Sequence, residues 1–171
     1  MKDLSIIAVF LFLTLPFQLH SQNMNNNELE KIFYVVSDTL QGNSGNWQFV
    51  INGTMMLCVT DETHNRMRIV SPIIEDIKLD EEEKQKLLEA NFHTALDVRY
   101  AISNQVLCAA FIHPLKELTK DQVFDAIVQV YTAVQTFGTS FSSTGLSFPG
   151  TNEENNNDGK IKELKLQKNK I

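Results

Sequence analysis

The stretch WQFVINGTMMLCVT, residues 47–60, decides the fold because it holds two strands and the turn that joins them. Trp47, Phe49 and Ile51 occupy alternate positions, so the first part of the stretch predicts a strand with one apolar face. Asn52-Gly53 is a strong signal for a two-residue hairpin, because a type I′ turn needs positive φ at both central positions. The remainder returns as a second strand, and strands joined by such a short turn are antiparallel.

A helix precedes this hairpin and a third strand follows it. Apolar residues recur at helical spacing from Leu29 to Leu40, which predicts an amphipathic helix that ends in QGNSGN at 41–46. After the hairpin, DETHN forms a second turn, and residues 66–71 predict a strand that Pro72 closes. The first half of the chain is therefore predicted as one helix and three antiparallel strands.

The second half of the chain predicts helix, two strands and helix. Asp80 is followed by three glutamates, which suit the positive end of a helix dipole. Two strand patterns follow at 95–102 and 106–112, and Thr119 and Gln122 have the spacing of a capping box at the start of a last helix. The sequence thus predicts an α+β fold in the order α-β-β-β-α-β-β-α, a five-stranded antiparallel sheet with three helices on one face.

The stretch EKQKLLEANFHTALDVRY, residues 83–100, joins the second helix to the fourth strand with almost no loop. Asn91 stands where the helical pattern stops, and asparagine tolerates the left-handed conformation that ends many helices. We therefore expect Asn91 to cap the helix and Phe92 to enter the core. Such a joint would let the chain re-enter the sheet at once.

The same stretch carries a family resemblance. Leu87-Leu88-Glu89-Ala90-Asn91, the strand pair after it, the His113-Pro114-Leu115 linker and Leu118-Thr119 together resemble the pattern of the YbjN-like family. Domains of that family share the fold of the class I type III secretion chaperones. The resemblance covers residues 28–137. It implies a chaperone-like domain, usually dimeric, that binds polypeptide rather than catalysing a reaction.

The chain ends are predicted to lie outside this domain. Residues 1–21 have the layout of a secretory signal peptide cleaved near Ser21, with an uncleaved N-terminal anchor as the alternative. Residues 22–27 form a polar N-terminal segment, and residues 28–138 form the α+β domain. Residues 139–171 form a tail rich in serine, glycine and asparagine that is predicted to be largely disordered. The protein is therefore predicted to be periplasmic or secreted.

Composition limits the partners of the protein. The formal net charge of −6 argues against a nucleic-acid partner, because phosphates would repel an acidic domain. Cys58 and Cys108 both lie in apolar, strand-like runs. In an oxidising compartment two alternatives stay open for them, namely two buried thiols or one disulfide.

No arrangement of residues that supports catalysis stands out in the sequence. The histidines lack a His-x-x-x-His spacing for a metal, and there is no Gly-x-Ser-x-Gly motif and no glycine-rich phosphate loop. The acidic residues at 80–83 are explained by a solvated helix start. We therefore expect a protein that is not an enzyme and that uses no metal or cofactor.

The face of the sheet opposite the helices is the predicted binding surface. It combines apolar residues with arginines, a mixture that is favoured in protein interfaces and is also found on solvated sheet faces. Its predicted partner-binding residues are Val50, Met56, Arg66, Arg68, Val70 and Arg99, with Gln48, Cys58 and Asp97 beside them. An exposed edge strand offers a second route, through main-chain pairing with an extended peptide.

Two functions stay open at this point. The first is a non-enzymatic, chaperone-like module, exported to the cell envelope and homodimeric, that binds a protein or peptide. The alternative is a structural or lipid-associating protein of the envelope surface. In that alternative the lysines within residues 160–170 make the tail basic and give it weak contact with a membrane.

Overall fold

The computed structural model describes residues 23–75 and 77–144. The predicted signal peptide and the tail from residue 145 onward, including its lysines, lie outside the described residues. The elements are α1 (Asn26–Val36), β1 (Thr39–Asn43), β2 (Asn46–Ile51), β3 (Thr54–Asp61), β4 (Arg66–Ile74), α2 (Glu81–His93), β5 (Val98–Ser103), β6 (Val106–His113) and α3 (Lys120–Gln135). All strands belong to one antiparallel sheet in the order β1-β2-β3-β4-β6-β5. The fold class is α+β, as predicted.

The sheet has six strands rather than the predicted five. Helix α1 ends at Val36, and the residues that we assigned to its end and to the following loop form β1, which pairs with β2. β1 shows no apolar alternation, because every residue except the half-buried Leu40 is exposed. Gly42 has a φ of +107°, and a Cβ there would collide with the backbone oxygen of Asn46, so this position requires glycine.

Strand β4 continues past the point where the sequence pattern placed its end. Pro72 lies inside the strand, opposite Cys108 of β6, and the register shifts between Pro72 and Ile74. A proline is tolerated at such a bulge because the hydrogen-bond ladder is already interrupted there. The prediction that Pro72 closes this strand is therefore wrong.

One face of the sheet holds the hydrophobic core. Trp47, Phe49 and Ile51 are buried there, as the alternation predicted. The Phe33 ring of α1 stacks on Phe49 with ring centroids 4.5 Å apart, and it meets Trp47 edge-on at 5.5 Å. These aromatic contacts pack helix α1 against strand β2.

All three helices contribute to this single core. Helix α3 buries Val123, Phe124, Ala126, Ile127, Val128, Val130, Tyr131, Thr132 and Ala133. Its predicted capping box is confirmed, because the Gln122 amide donates to Thr119 Oγ1 at 3.2 Å and the Thr119 amide donates to Gln122 Oε1 at 2.8 Å. Helix α2 adds only Leu87 and Ala90 to the core.

The joint between α2 and β5 differs from the prediction. Asn91 lies inside α2, which continues to His93, and its side chain reaches β5 instead of capping the helix. The Tyr100 amide donates to Asn91 Oδ1 at 2.7 Å, and Asn91 Nδ2 donates to the Tyr100 carbonyl oxygen at 3.1 Å. Asn91 thus closes part of a sheet edge, which is otherwise an open template for strand pairing. Phe92, predicted to enter the core, is 85% exposed.

Strand β5 also begins later than predicted. Its first residue is Val98, whereas the pattern indicated a strand from residue 95. Leu96 lies in a turn with a φ of +47°, a left-handed conformation that regular strands do not contain. The alternating apolar pattern of the sequence therefore continues beyond the strand into the turn before it, where the Leu96 side chain is 47% exposed.

The ordered domain extends beyond Gly138, where the tail was predicted to begin. The Ser143 amide donates to the Thr94 carbonyl oxygen at 3.1 Å. The Phe141 ring meets the Phe137 ring edge-on with centroids 5.4 Å apart. Residues 139–144 therefore pack on the end of α2 and belong to the folded domain.

Replacing Asn91 by alanine is expected to lower the free energy of unfolding by about 1–3 kcal/mol, because two backbone groups of β5 lose their partner. Urea denaturation followed by circular dichroism measures the change. Asn43→Ala is the matched control, because the exposed Asn43 side chain forms no hydrogen bond with the described residues. Equal losses for the two variants would contradict the role of Asn91 in closing the edge.

Candidate functional site

The side of the sheet that faces away from the helices is lined by alternate residues of the six strands, and we call it the open face. Its apolar residues are Val50, Met55, Leu57, Val59, Val70, Pro72, Ala101, Val106, Cys108, Ala110 and Ile112. Its polar residues include Thr39, Gln41, Gln48, Asp61, Arg66, Arg68 and Arg99. Nearly all of them are exposed or half-buried, so the open face presents a broad apolar centre to its surroundings.

The hairpin at Asn52-Gly53 decides which residues of β2 and β3 reach the open face. It places Phe49 opposite Met56 and Trp47 opposite Cys58, and residues directly opposite each other point to the same face. Met56 and Cys58 are therefore fully buried in the core. The prediction that Met56 contacts a partner is wrong in its placement, because Met56 lies directly opposite Phe49, a core residue of β2. Met55 occupies the open face instead.

The other five predicted partner-binding residues lie on the open face. They are Val50, Arg66, Arg68, Val70 and Arg99. Their contact with a partner stays a prediction. Residues that the sequence reading missed include Met55, Leu57, Val59 and Ile112. The register of the Asn52-Gly53 hairpin is the signal that would have found the three on β3.

A row of three exposed residues on adjacent strands crosses the open face, and we call it the arginine row. Arg68 of β4 lies between Val59 of β3 and Ile112 of β6. Val59 is 44% exposed and Ile112 is 60% exposed. The Arg68 side chain forms no ion pair or hydrogen bond with any residue in 23–75 or 77–144. A cation without a counter-ion thus stands between two uncovered aliphatic side chains.

Arg66 continues the positive charge at the end of β4. Its cross-strand neighbour is Asp61, but that carboxylate accepts from the His64 amide at 2.9 Å and lies 2.7 Å from His64 Nδ1. These hydrogen bonds, of which the one from the backbone is the stronger influence, hold the pKa of Asp61 below its usual value. Among the described residues, the guanidinium of Arg66 donates only to the neighbouring Asn65 carbonyl oxygen, at 3.4 Å.

Arg99 lies on the open face but is held by its own turn. Its guanidinium donates to the carbonyl oxygens of Leu96 and Val98, the second at 2.6 Å. Asp97, predicted beside it, is turned toward helix α3 and accepts from the Gln129 side chain at 3.3 Å. Arg99 is therefore less free than Arg66 and Arg68 to meet a partner.

The charge of the open face is opposite to that of the whole chain. The formal net charge of the chain is −6. The strand residues that line the open face, in contrast, include three arginines and a single carboxylate. These are Arg66, Arg68, Arg99 and Asp61. A positive, apolar surface on an acidic protein is suited to a partner that carries carboxylates among apolar side chains.

A second exposed apolar surface lies on the outer side of α2. Leu88 is 70% exposed and Phe92 is 85% exposed, and the two residues are one helical turn apart. Phe92 was expected to enter the core, but the residues that α2 buries there are Leu87 and Ala90. We call Leu88 and Phe92 the α2 patch.

Both cysteines are free thiols, so the disulfide alternative is not realised. They lie on opposite faces of the sheet, with Cys58 in the core and Cys108 on the open face. Burial raises the pKa of each thiol above its usual value, which disfavours the reactive thiolate. Their positions suit packing rather than redox chemistry.

The described residues bring together no group of three or more histidines, cysteines, aspartates and glutamates that would hold a metal ion. The three histidines of the domain are apart, with His64 beside Asp61, His93 at the end of α2 and His113 beside the Pro114 carbonyl. Within residues 23–75 and 77–144, none of the helices combines the length and the apolar character that crossing a membrane requires.

Comparison with known proteins supports the fold at a coarse level. No protein-family model matches the sequence, and no curated protein matches it. The chain is similar to a chain in the solved structure of the HopA1–SchA chaperone–effector complex, with a TM-score of 0.50 and 10% sequence identity. The match covers 66% of this chain and 94% of that chain. The chain therefore has a chaperone-like fold, and nothing in these matches singles out the YbjN-like family.

Proposed function

We propose that the protein is a non-enzymatic binding module that holds a segment of another polypeptide on its open face. The observation that carries this proposal is the arginine row, in which the unpaired Arg68 lies between the exposed Val59 and Ile112. Arginine is enriched in protein interfaces, and the buried centre of an interface is more apolar than its rim.

The energetics favour binding on this surface. Complete burial of a fully exposed aliphatic side chain contributes about 1.5–3 kcal/mol, and covering Val59 and Ile112, which are 44% and 60% exposed, contributes part of that amount. The open face is built on a hydrogen-bonded sheet, so the backbone that carries its side chains is already ordered before a partner arrives. Less ordering entropy is then lost on binding than for a surface made of loops.

The structural neighbour supports the same class of function by analogy. The similar chain comes from a complex of a chaperone with an effector, which is an assembly of two polypeptides. Fold likeness alone does not carry a function, so the weight of the proposal rests on the open face.

The proposal includes export of the module to the cell envelope. The lysine and the apolar run within residues 1–21 are the basis for it, because that layout is typical of a secretory signal peptide. The partner would then be another envelope or exported polypeptide.

The proposal also includes a homodimer that forms through the α2 patch. Leu88 and Phe92 point away from the core and add a large aromatic and an aliphatic side chain to the surface of a helix. A soluble helix that exposes such a pair gains stability when a second copy covers it. The α2 patch belongs to α2 and the arginine row to the sheet, so a dimer can form while the open face stays free.

Reversing the charge of Arg66 and Arg68 is expected to reduce partner binding at least tenfold, because each arginine at the centre of an interface contributes more than about 1 kcal/mol. The measurement is quantitative mass spectrometry of proteins captured from an envelope extract by the wild-type chain and by the Arg66→Glu, Arg68→Glu variant. The partners that it identifies are then titrated in purified form.

Lys31→Glu with Lys120→Glu is the matched control for this experiment. It changes the net charge by the same amount, and both lysines pair with Glu28 on the helix side of the protein. Equal capture of partners by the wild type and by the two charge-reversed variants would contradict the proposal that partners bind on the open face.

The homodimer has its own test. We expect multi-angle light scattering to give twice the monomer mass for the wild type and the monomer mass for Leu88→Glu with Phe92→Glu, because a buried carboxylate opposes association. Tyr34→Glu is the control, since Tyr34 is 79% exposed on α1 and outside the α2 patch. A monomeric wild type, or a dimer that survives the change in the α2 patch, would contradict this part of the proposal.

A further inference from the structure

The arginine row defines the chemistry of what can cover it. Arg66 and Arg68 form no ion pair with any carboxylate among the described residues, and Val59 and Ile112 flank Arg68 with aliphatic surface. An ion pair formed beside covered aliphatic groups is stronger than one in open water, because the local dielectric constant is lower. A fitting occupant therefore carries carboxylates close to large apolar side chains.

The chain itself contains a segment with this composition. Residues 145–158, GLSFPGTNEENNND, hold Leu146 and Phe148 and then Glu153, Glu154 and Asp158. No lysine or arginine occurs between Lys120 and Lys160, so the segment is purely acidic. Its charge is complementary to the open face and opposite to that of the lysine-rich end that follows it.

The described chain ends within reach of the arginine row. The Ser143 amide is bonded to the Thr94 carbonyl, immediately before the turn that leads into β5. β5 and β4 are separated by two strand spacings, about 10 Å. Glu153 follows Thr144 by nine residues, which span up to about 30 Å when extended. The segment is therefore long enough to pass around the β5 edge and to reach Arg68.

We propose that residues 145–158 are an intramolecular occupant of the open face. Glu153 and Glu154 pair with Arg66 and Arg68, and the apolar residues ahead of them cover the arginine row. Because the segment is tethered, its effective concentration is in the millimolar range and weak contacts suffice to hold it. The inference rests on the open face as the binding surface of the proposed function, and it adds that a partner must displace this segment.

Carbene footprinting of the full-length chain tests the inference, because carbenes label aliphatic side chains that solvent reaches. The variant Glu153→Lys with Glu154→Lys is expected to show about fivefold higher occupancy of the uncovered state, and hence stronger labelling of Val59 and Ile112. Fivefold corresponds to the roughly 1 kcal/mol that two exposed ion pairs contribute. Val35 of α1, which is 37% exposed and lies outside both the open face and the α2 patch, serves as an internal control whose labelling stays unchanged.

A charge swap makes the test specific. Arg66→Glu with Arg68→Glu uncovers Val59 and Ile112, and adding Glu153→Lys and Glu154→Lys to the same chain restores their protection. Labelling of the arginine row that is the same in all four chains overturns the inference. Protection that grows with protein concentration also overturns it and assigns the open face to the tail of a second copy.

This experiment is independent of the proposed function. It needs no partner, so unchanged footprints refute the intramolecular occupant and leave capture of a partner by the open face intact. The opposite combination is also informative. If the Arg66→Glu, Arg68→Glu variant captures the same partners as the wild type, and the charge swap still restores protection of Val59 and Ile112, then the intramolecular occupant is supported and the proposed function is contradicted.

Discussion

The structure depends on the two-residue hairpin at Asn52-Gly53. A turn of this length sets Ile51 opposite Thr54, and every later pair of β2 and β3 follows from that register. The aromatic residues of β2 must be buried under the helices, so their partners on β3 are buried with them. The intervening residues of both strands are forced to the other side of the sheet, where the open face forms. A slip of one residue would exchange the two faces.

This constraint explains how the domain leaves the open face available while the helices cover the other face of the sheet. The helices and the aromatic contacts of Phe33 fill one face, and Asn91 ties the β5 edge to helix α2. Uncovered strand edges invite indiscriminate pairing, whereas a face made of side chains selects partners by shape and charge. Arg66 and Arg68 make the open face positive, whereas the formal net charge of the whole chain is −6. The fold thus separates the groups that stabilise it from the groups that are available for recognition.

Much of the fold is predictable from local patterns, and the failures have physical causes. The hairpin, the α3 capping box and the aromatic face of β2 each rest on a few neighbouring residues. β1 escaped prediction because it lies at an exposed edge and needs no apolar alternation. Met56 was assigned to the wrong face although the hairpin register determines its side. The contact of Asn91 with Tyr100 joins a helix to a strand across a turn, and helical periodicity carries no information about such a partner.

The adjacent residues Met55 and Met56 provide the most direct test of the two-faced sheet. Met55 is 37% exposed on the open face, whereas Met56 is fully buried in the core. Mild peroxide treatment of the native protein, followed by tandem mass spectrometry, reports sulfoxide formation at each residue separately. The account predicts oxidation of Met55 while Met56 stays reduced until the protein unfolds. Faster oxidation of Met56, or equal rates at the two residues, would contradict it.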